Sequence, residues 1–154
     1  MTCVIIGMNR LYVADTTSII SYFNEVFNVP RKLSTRGCLI IQQALSANPS
    51  NIRLSIPSVV LVEIFDKWFL EDEIASKLRY EVFEPIKGSP NVEVKPIEQE
   101  VLENMLKIGD ELGNHDMHDK IILASAMMLN CPLITTDSKL ISYIRNHKVV
   151  SYVS

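Results

Sequence analysis

Short apolar runs of strand length alternate along this chain with longer stretches in which apolar residues recur every three or four positions. LYVA (11–14), IRLSIP (52–57), VEVKP (92–96), LIT (133–135) and KVVSYV (148–153) read as strands. Between them, TTSIISYFNEVF sets Ile19, Ile20, Phe23 and Phe27 at helical spacing, and CLIIQQALSA (38–47) gives a second helix after the break at RKLSTRG. SVVLVEIFDKWFL follows the second strand at once, with Ser58 as its expected N-cap and Val59, Val62, Ile64, Phe65 and Phe69 suited to a largely buried helix. EDEIASKLRYEVFEPI, with Ile74, Leu78 and Val82 on one face, predicts a surface helix ending near Pro85. An amphipathic helix over 97–113 stops at Gly113, another starts in NHDMHDKIILASAMML, and SKLISYIRN is a short last helix. Strands separated by helical crossovers pair in parallel, so the pattern predicts an α/β domain with a mostly parallel sheet.

At 154 residues the chain suits one domain over 1–154 with a sizeable core. Its formal net charge of −3 supplies no broad basic field for nucleic acid, although local patches decide more than the sum. Cys3, Cys38 and Cys131 are too scattered for a zinc ribbon or disulfide framework and read as thiols in a reducing compartment. No apolar run reaches the roughly 18 residues that span a bilayer, and CVIIGM lacks the length and basic leader of a signal peptide. The expectation is a cytoplasmic protein without a membrane association.

The acids stand where core elements begin or end. Asp15 closes the first strand, Asp137 closes the fourth, and Glu63 lies early in the helix after the second. Ligands of parallel sheets bind at the carboxyl ends of the strands, which these three positions share. Asp15 and Asp137 also suit helix capping, and Asp116 suits the same task before its helix. Glu63 is harder to explain that way, because it sits among apolar neighbours and a buried Glu needs a partner or a cation. Asp119, in the helix leading into the fourth strand, is not placed by the strand-end rule. Converging carboxylates repel one another, and all-oxygen donors suit Mg²⁺ or Mn²⁺ rather than zinc.

Four segments together resemble the PIN-domain nucleases, and among them the VapC-type toxins. LYVADTTSII resembles the opening strand with its first acid, IPSVVLVEIF the strand and helix with the Glu, HDMHDKIILASA the helix with the third acid, and LITTDSKL the fourth strand with its Thr and Asp. The resemblance implies a three-layer α/β/α fold around four or five mostly parallel strands, with residues 1–10 as an extra leading segment. It implies a metal-dependent endoribonuclease in which Asp15, Glu63, Asp119 and Asp137 are catalytic and hold one or two Mg²⁺ or Mn²⁺ ions, with Thr17 and Thr135 in support. The partners implied are an RNA substrate, an antitoxin protein and a second copy of the chain. A stand-alone nuclease of RNA processing and a non-catalytic RNA- or protein-binding module are the alternatives.

Arg31, Lys32 and Arg36 form the densest basic cluster, a solvated loop on the plain reading and a phosphate track in a nuclease. His118 and Lys120 flank Asp119 and would lie near RNA, while His115 and His118 are too weak a pattern for zinc. Lys67 lies among acids and calls for no special role. Trp68 and Phe69 suit core packing, with a partner surface as the second reading. A phosphorylated receiver-like domain would need an acid pair near the first strand and a later strand-end Lys, which LYVADTT and PLITTDSK do not supply.

Overall fold

A computed structural model describes residues 10–109, 112 and 117–154. Five strands form one sheet: β1 (Arg10–Ala14), β2 (Ile52–Pro57), β3 (Val92–Lys95), β4 (Leu133–Ile134) and β5 (Tyr152–Val153). Their spatial order is β3-β2-β1-β4-β5, and every pairing is parallel. β1 is central, with Tyr12 against Leu54 of β2 and Val13 against Leu133 of β4. A central parallel strand is covered on both faces, which is why Tyr12, Val13 and Ala14 are consecutive and all buried.

The chain builds outward from β1 through β2 to β3, then returns across β1 to add β4 and β5 on the other side. The order therefore reverses between β1 and β4. At such a reversal the connections leave in opposite directions and open a crevice at the carboxyl ends of the two strands.

Helices cover the sheet: α1 (Thr16–Tyr22), α2 (Asn24–Phe27) and α3 (Thr35–Ala44) join β1 to β2. After β2 come α4 (Ser58–Trp68), α5 (Asp72–Lys77), a π-helical turn (Leu78–Phe83) and α6 (Glu84–Gly88). Finally α7 (Gln99–Met105) and α8 (Met117–Leu129) precede β4, and α9 (Ser138–His147) precedes β5. The expected α/β/α architecture with a parallel five-stranded sheet is the one observed. Among the described residues no helix is long and apolar enough to cross a membrane.

Several local expectations are corrected. The helix expected from Cys38 begins at Thr35, because Ser34 caps it by accepting from Gly37 N at 3.1 Å. Ser58 is not a cap: β2 runs straight into α4, Pro57 occupies the cap position, and no side chain bonds there. Val62 and Phe69, expected in the core, are 57% and 55% exposed, since α4 buries only the face carrying Val59, Val60, Leu61 and Ile64. The helical path does not stop at Pro85 but continues to Gly88. Pro85 falls in the first turn of α6, where a missing N–H is least costly, directly after the wider π-helical turn. The amphipathic helix expected over 97–113 runs only from Gln99 to Met105 and gives way to turns over 106–108, while Gly113 lies outside the described residues.

The end of β5 is fastened to α3. Ser154 O accepts from Ser34 N at 3.2 Å and from the Ser34 hydroxyl. Gly37 allows this approach: a Cβ there would lie 2.7 Å from Leu33 Cδ1, 2.8 Å from Leu33 Cγ and 3.2 Å from Ser154 O. Ala is intrinsically better than Gly inside a helix by about 1 kcal/mol, yet overlap with a buried side chain costs about 1–3 kcal/mol. Gly37→Ala is therefore expected to destabilise the fold by on the order of 1 kcal/mol, read as a lower urea midpoint. An unchanged or higher midpoint would mean that Leu33 gives way freely.

Candidate functional site

The carboxyl edge of the sheet at the β1–β4 reversal is built around Asp15. Its carboxylate is buried, 1% exposed, at the end of the central strand. Asp15 Oδ1 accepts from Ser18 N at 2.8 Å, which caps α1. The Thr17 hydroxyl lies 2.9 Å from each carboxylate oxygen, and the Thr135 hydroxyl donates to Oδ2. Thr17 reaches across to the loop after β4, while Thr135 joins Asp15 to its own loop. Thr17 Oγ1 accepts from Thr136 N at 3.1 Å, and Thr135 Oγ1 accepts from Asp137 N at 3.0 Å. The backbone closes the same seam, with Asp15 N donating to Ile134 O at 3.1 Å. Asp137 then caps α9, its Oδ1 accepting from Lys139 N at 2.8 Å. Capping and site membership are thus compatible at both aspartates.

Burial pushes the Asp15 carboxyl up from 3.8 to about 6, and the hydrogen bonds from Thr135, Ser18 and Thr17 oppose that shift without cancelling it. A buried carboxylate held by neutral donors alone still lacks a countercharge.

Glu63 meets the first turn of α8. α8 packs on α4, and its first turn sets His118 Nδ1 3.5 Å from Glu63 Oε1. Asp119 follows His118 and is half-buried. The expectation that Asp119 falls outside the strand-end rule is corrected here. A helix that delivers the chain to the start of β4 must begin at the carboxyl edge, so α8 starts on the side where Asp15 and Asp137 stand. Val62, Glu63, Asp66, Lys67 and His118 line a cavity of about 510 Å³.

Thr135 links the Asp15 carboxylate to the backbone of Asp137, and His118 links Glu63 to the turn that carries Asp119. Among the described residues no group of three or more His, Cys, Asp or Glu is spaced to hold a metal ion. The donor chemistry nevertheless fits a hard divalent cation: every donor is a carboxylate or hydroxyl oxygen, and among the described residues no cationic side chain acts on the buried Asp15. Asp116 and His115 lie outside the described residues.

The basic cluster is split. Arg31 is exposed and donates to Tyr22 O at 3.2 Å. Lys32 lines a cavity of about 470 Å³ together with Thr17, Thr136 and Asp137. Arg36 instead lines a separate cavity with Arg10, Leu11 and Tyr12, away from the acids. Lys120 is half-buried in the first turn of α8. Sequence reasoning passed over two contributors. Lys67 lines both the Glu63 cavity and the Asp137 cavity, and the Ser21 hydroxyl accepts from Lys32 N and Leu33 N at 2.8 Å each, fixing the loop that carries Lys32. The i, i+4 spacing of Glu63 and Lys67 on one helix was the available signal.

A PIN-domain family model matches residues 36–148. The chain belongs to the PIN-domain family. The matched segment takes in Glu63, Asp119 and Asp137, and the hydrogen bonds from Thr135 and Thr136 join Asp15 and Thr17 to it. Solved structures of similar fold include VapBC2 from Rickettsia felis bound to a DNA fragment from their promoter, at 15% identity over 92% of this chain and 96% of that one, TM-score 0.61. VapBC-1 from nontypeable Haemophilus influenzae is 20% identical over 92% and 96%, TM-score 0.60. A toxin–antitoxin complex from Klebsiella pneumoniae is 20% identical over 93% and 96%, TM-score 0.53. No curated protein matches the chain.

The Asp15 shift has a consequence for stability. The unfolded chain releases this proton near 3.8 and the folded chain near 6, so the group's contribution is full below 3.8 and is lost as pH rises through about 6. A shift of that size corresponds to at most about 3 kcal/mol. In EDTA, Asp15→Asn is expected to gain stability relative to the parent chain as pH rises from 4 to 7. Urea unfolding across that range reads the difference, and a pH-independent difference would show that Asp15 ionises without penalty.

Proposed function

We propose that the chain is a divalent-cation-dependent endoribonuclease that hydrolyses RNA phosphodiester bonds at the carboxyl edge of the sheet. The observation that carries this reading is the buried Asp15 carboxylate, held by neutral donors and without a countercharge among the described residues, at the strand reversal of a PIN-domain fold. Asp15, Glu63, Asp119 and Asp137 would hold the cation, Mg²⁺ or Mn²⁺. When bound, such an ion supplies positive charge against the phosphate oxygens and acidifies water. The chain's own residues prepare for it. Thr17 and Thr135 fix both oxygens of Asp15 by hydrogen bonds and thereby set the direction of its remaining lone pairs. Asp137 is held by its cap on α9, and His118 steadies Glu63 from the first turn of α8.

The fold shared with VapBC complexes supports a toxin role, with an antitoxin as partner. Among the described residues no three His, Cys, Asp or Glu are spaced to hold a metal ion, which favours one other reading, a PIN-fold module that binds RNA or protein without cutting.

The deciding experiment is cleavage of a panel of tRNA, rRNA fragments and mRNA in Mn²⁺, in Mg²⁺ and in EDTA, beside Asp119→Asn. Cutting is expected with either ion, absent in EDTA, and reduced more than about 100-fold in the variant with its melting temperature nearly unchanged. Full activity in Asp119→Asn would remove that residue from the site. Thr135→Val should weaken Mn²⁺ binding about 10–100-fold in calorimetry, because the Asp15 carboxylate loses a donor that orients it. Unaltered affinity would make Thr135 a seam between strands only.

A further inference from the structure

The cavity of about 470 Å³ beside Asp137 has a composition that hydrolysis at the acids does not require. Its walls are Ile20, Val29, Pro30 and Trp68, and Lys32 and Lys67 stand among them. Thr17 and Asp137, members of the acid site, belong to the same lining. The cleft is thus apolar within, basic in two places, and continuous with the acids. Clefts that take small ligands are commonly about 300–1,000 Å³, mostly apolar with a few polar groups, and this one fits that description.

Resting on the nuclease reading, we infer that this cavity receives one unpaired nucleotide of a single-stranded RNA. Its base lies against Trp68 and the aliphatic wall, and its phosphates lie on Lys32 and Lys67. A base presents flat apolar faces, which the wall of Trp68, Val29 and Pro30 covers. A base still paired in a helix cannot leave its partner to enter, so duplex RNA is excluded by shape. The two ammonium groups outnumber the one carboxylate of Asp137 in the lining, which favours a phosphate chain over an apolar peptide.

Lys67 is the connecting element. It also lines the cavity of Glu63 and His118, so one cation faces both halves of the acid site. Its ammonium lies 5.3 Å from the Trp68 ring centroid, a cation–π contact that limits where the side chain points. Phe27 packs on Trp68 with centroids 5.1 Å apart and holds the ring from the core. Trp68 therefore serves as wall and as anchor for Lys67. Among the described residues its buried indole N–H meets no acceptor, so nothing in the fold's own hydrogen bonding accounts for a tryptophan at this position.

Trp68 is the chain's single tryptophan, which makes its fluorescence a direct report on the cavity. The probe is a mixed-sequence single-stranded oligoribonucleotide, titrated in EDTA and, with Asp119→Asn to block cutting, in Mg²⁺. A saturable change in Trp68 emission is expected, with none for the same sequence as a duplex. Lys32→Ala and Lys67→Ala, both at exposed positions, should each weaken binding several-fold and lower the slope of log affinity against log salt by about 0.7. The inference is overturned by an unresponsive Trp68, by an equal response to duplex, or by lysine variants that bind like the parent. It is equally overturned if an apolar peptide saturates the cavity and the RNA does not. RNA cutting with a silent Trp68 would sink this inference and leave the nuclease reading standing. A Trp68 response without cutting under any ion would keep the inference and sink the nuclease reading.

Discussion

A carboxylate buried at the end of a central strand is one of the more costly groups a small domain can carry, and Asp15 is such a group. Removing the ion from water costs several kcal/mol unless donors or an opposite charge replace the solvent. Three donors replace it here: Ser18 N, the Thr17 hydroxyl and the Thr135 hydroxyl. Each also does structural service. Ser18 N belongs to the first turn of α1, so the cap and the carboxylate satisfy one another. The threonines accept in turn from Thr136 N and Asp137 N, so the ends of β1 and β4 are stitched through the acid they surround. β4 has only two residues of its own in the sheet, and this stitching supplements its short ladder.

The reversal of strand order explains why the stitching occurs at that place. β1 and β4 are neighbours in the sheet but are separated in the chain by β2, β3, helices α1 to α8 and the π-helical turn. Their connections depart to opposite sides, leaving their carboxyl ends without a covering loop of their own. Side chains of the two strand ends fill that gap. α4 and α8 then bring Glu63 and His118 up to the same edge, since α4 follows β2 and α8 must run back toward the start of β4. The acid positions are therefore consequences of topology.

Much of this was legible in the sequence. The strand segments, the helical stretches and the strand-end acids follow from hydrophobic period and from the rule for parallel sheets. The likeness of four ordered segments supplied the family. What the sequence withheld was governed by tertiary context. Ser34 rather than a residue nearer Cys38 starts α3 because Ser154 comes to meet it from the far end of the chain. Pro85 fails to stop its helix because a π-helical turn precedes it, which no local pattern announces. Val62 and Phe69 face outward because only one side of α4 meets the sheet. Lys67 looked like one surface charge among many, and its place between two cavities depends on how α4 crosses α1 and α8.

If the proposed function holds, an acidic chain that handles a polyanion needs its positive charge in the right place rather than in quantity. The net charge is −3, and a lysine at a cleft wall acts over only about 10 Å at 0.1 M salt. Lys32 and Lys67 meet that requirement by lining the cleft that also contains Asp137. Neither is a free-swinging surface charge: the Ser21 hydroxyl fixes the backbone that carries Lys32, and the Trp68 ring restrains Lys67. Lysines placed in this way would bias a strand toward the acids without neutralising them, since no ion pair bridges Lys32 or Lys67 to a carboxylate among the described residues. On the proposed nuclease reading the carboxylates would be left to a cation, and the lysines to phosphates. A shared edge can carry both functions only if the two kinds of charge are held apart, and the separate helices and loops that present them do so.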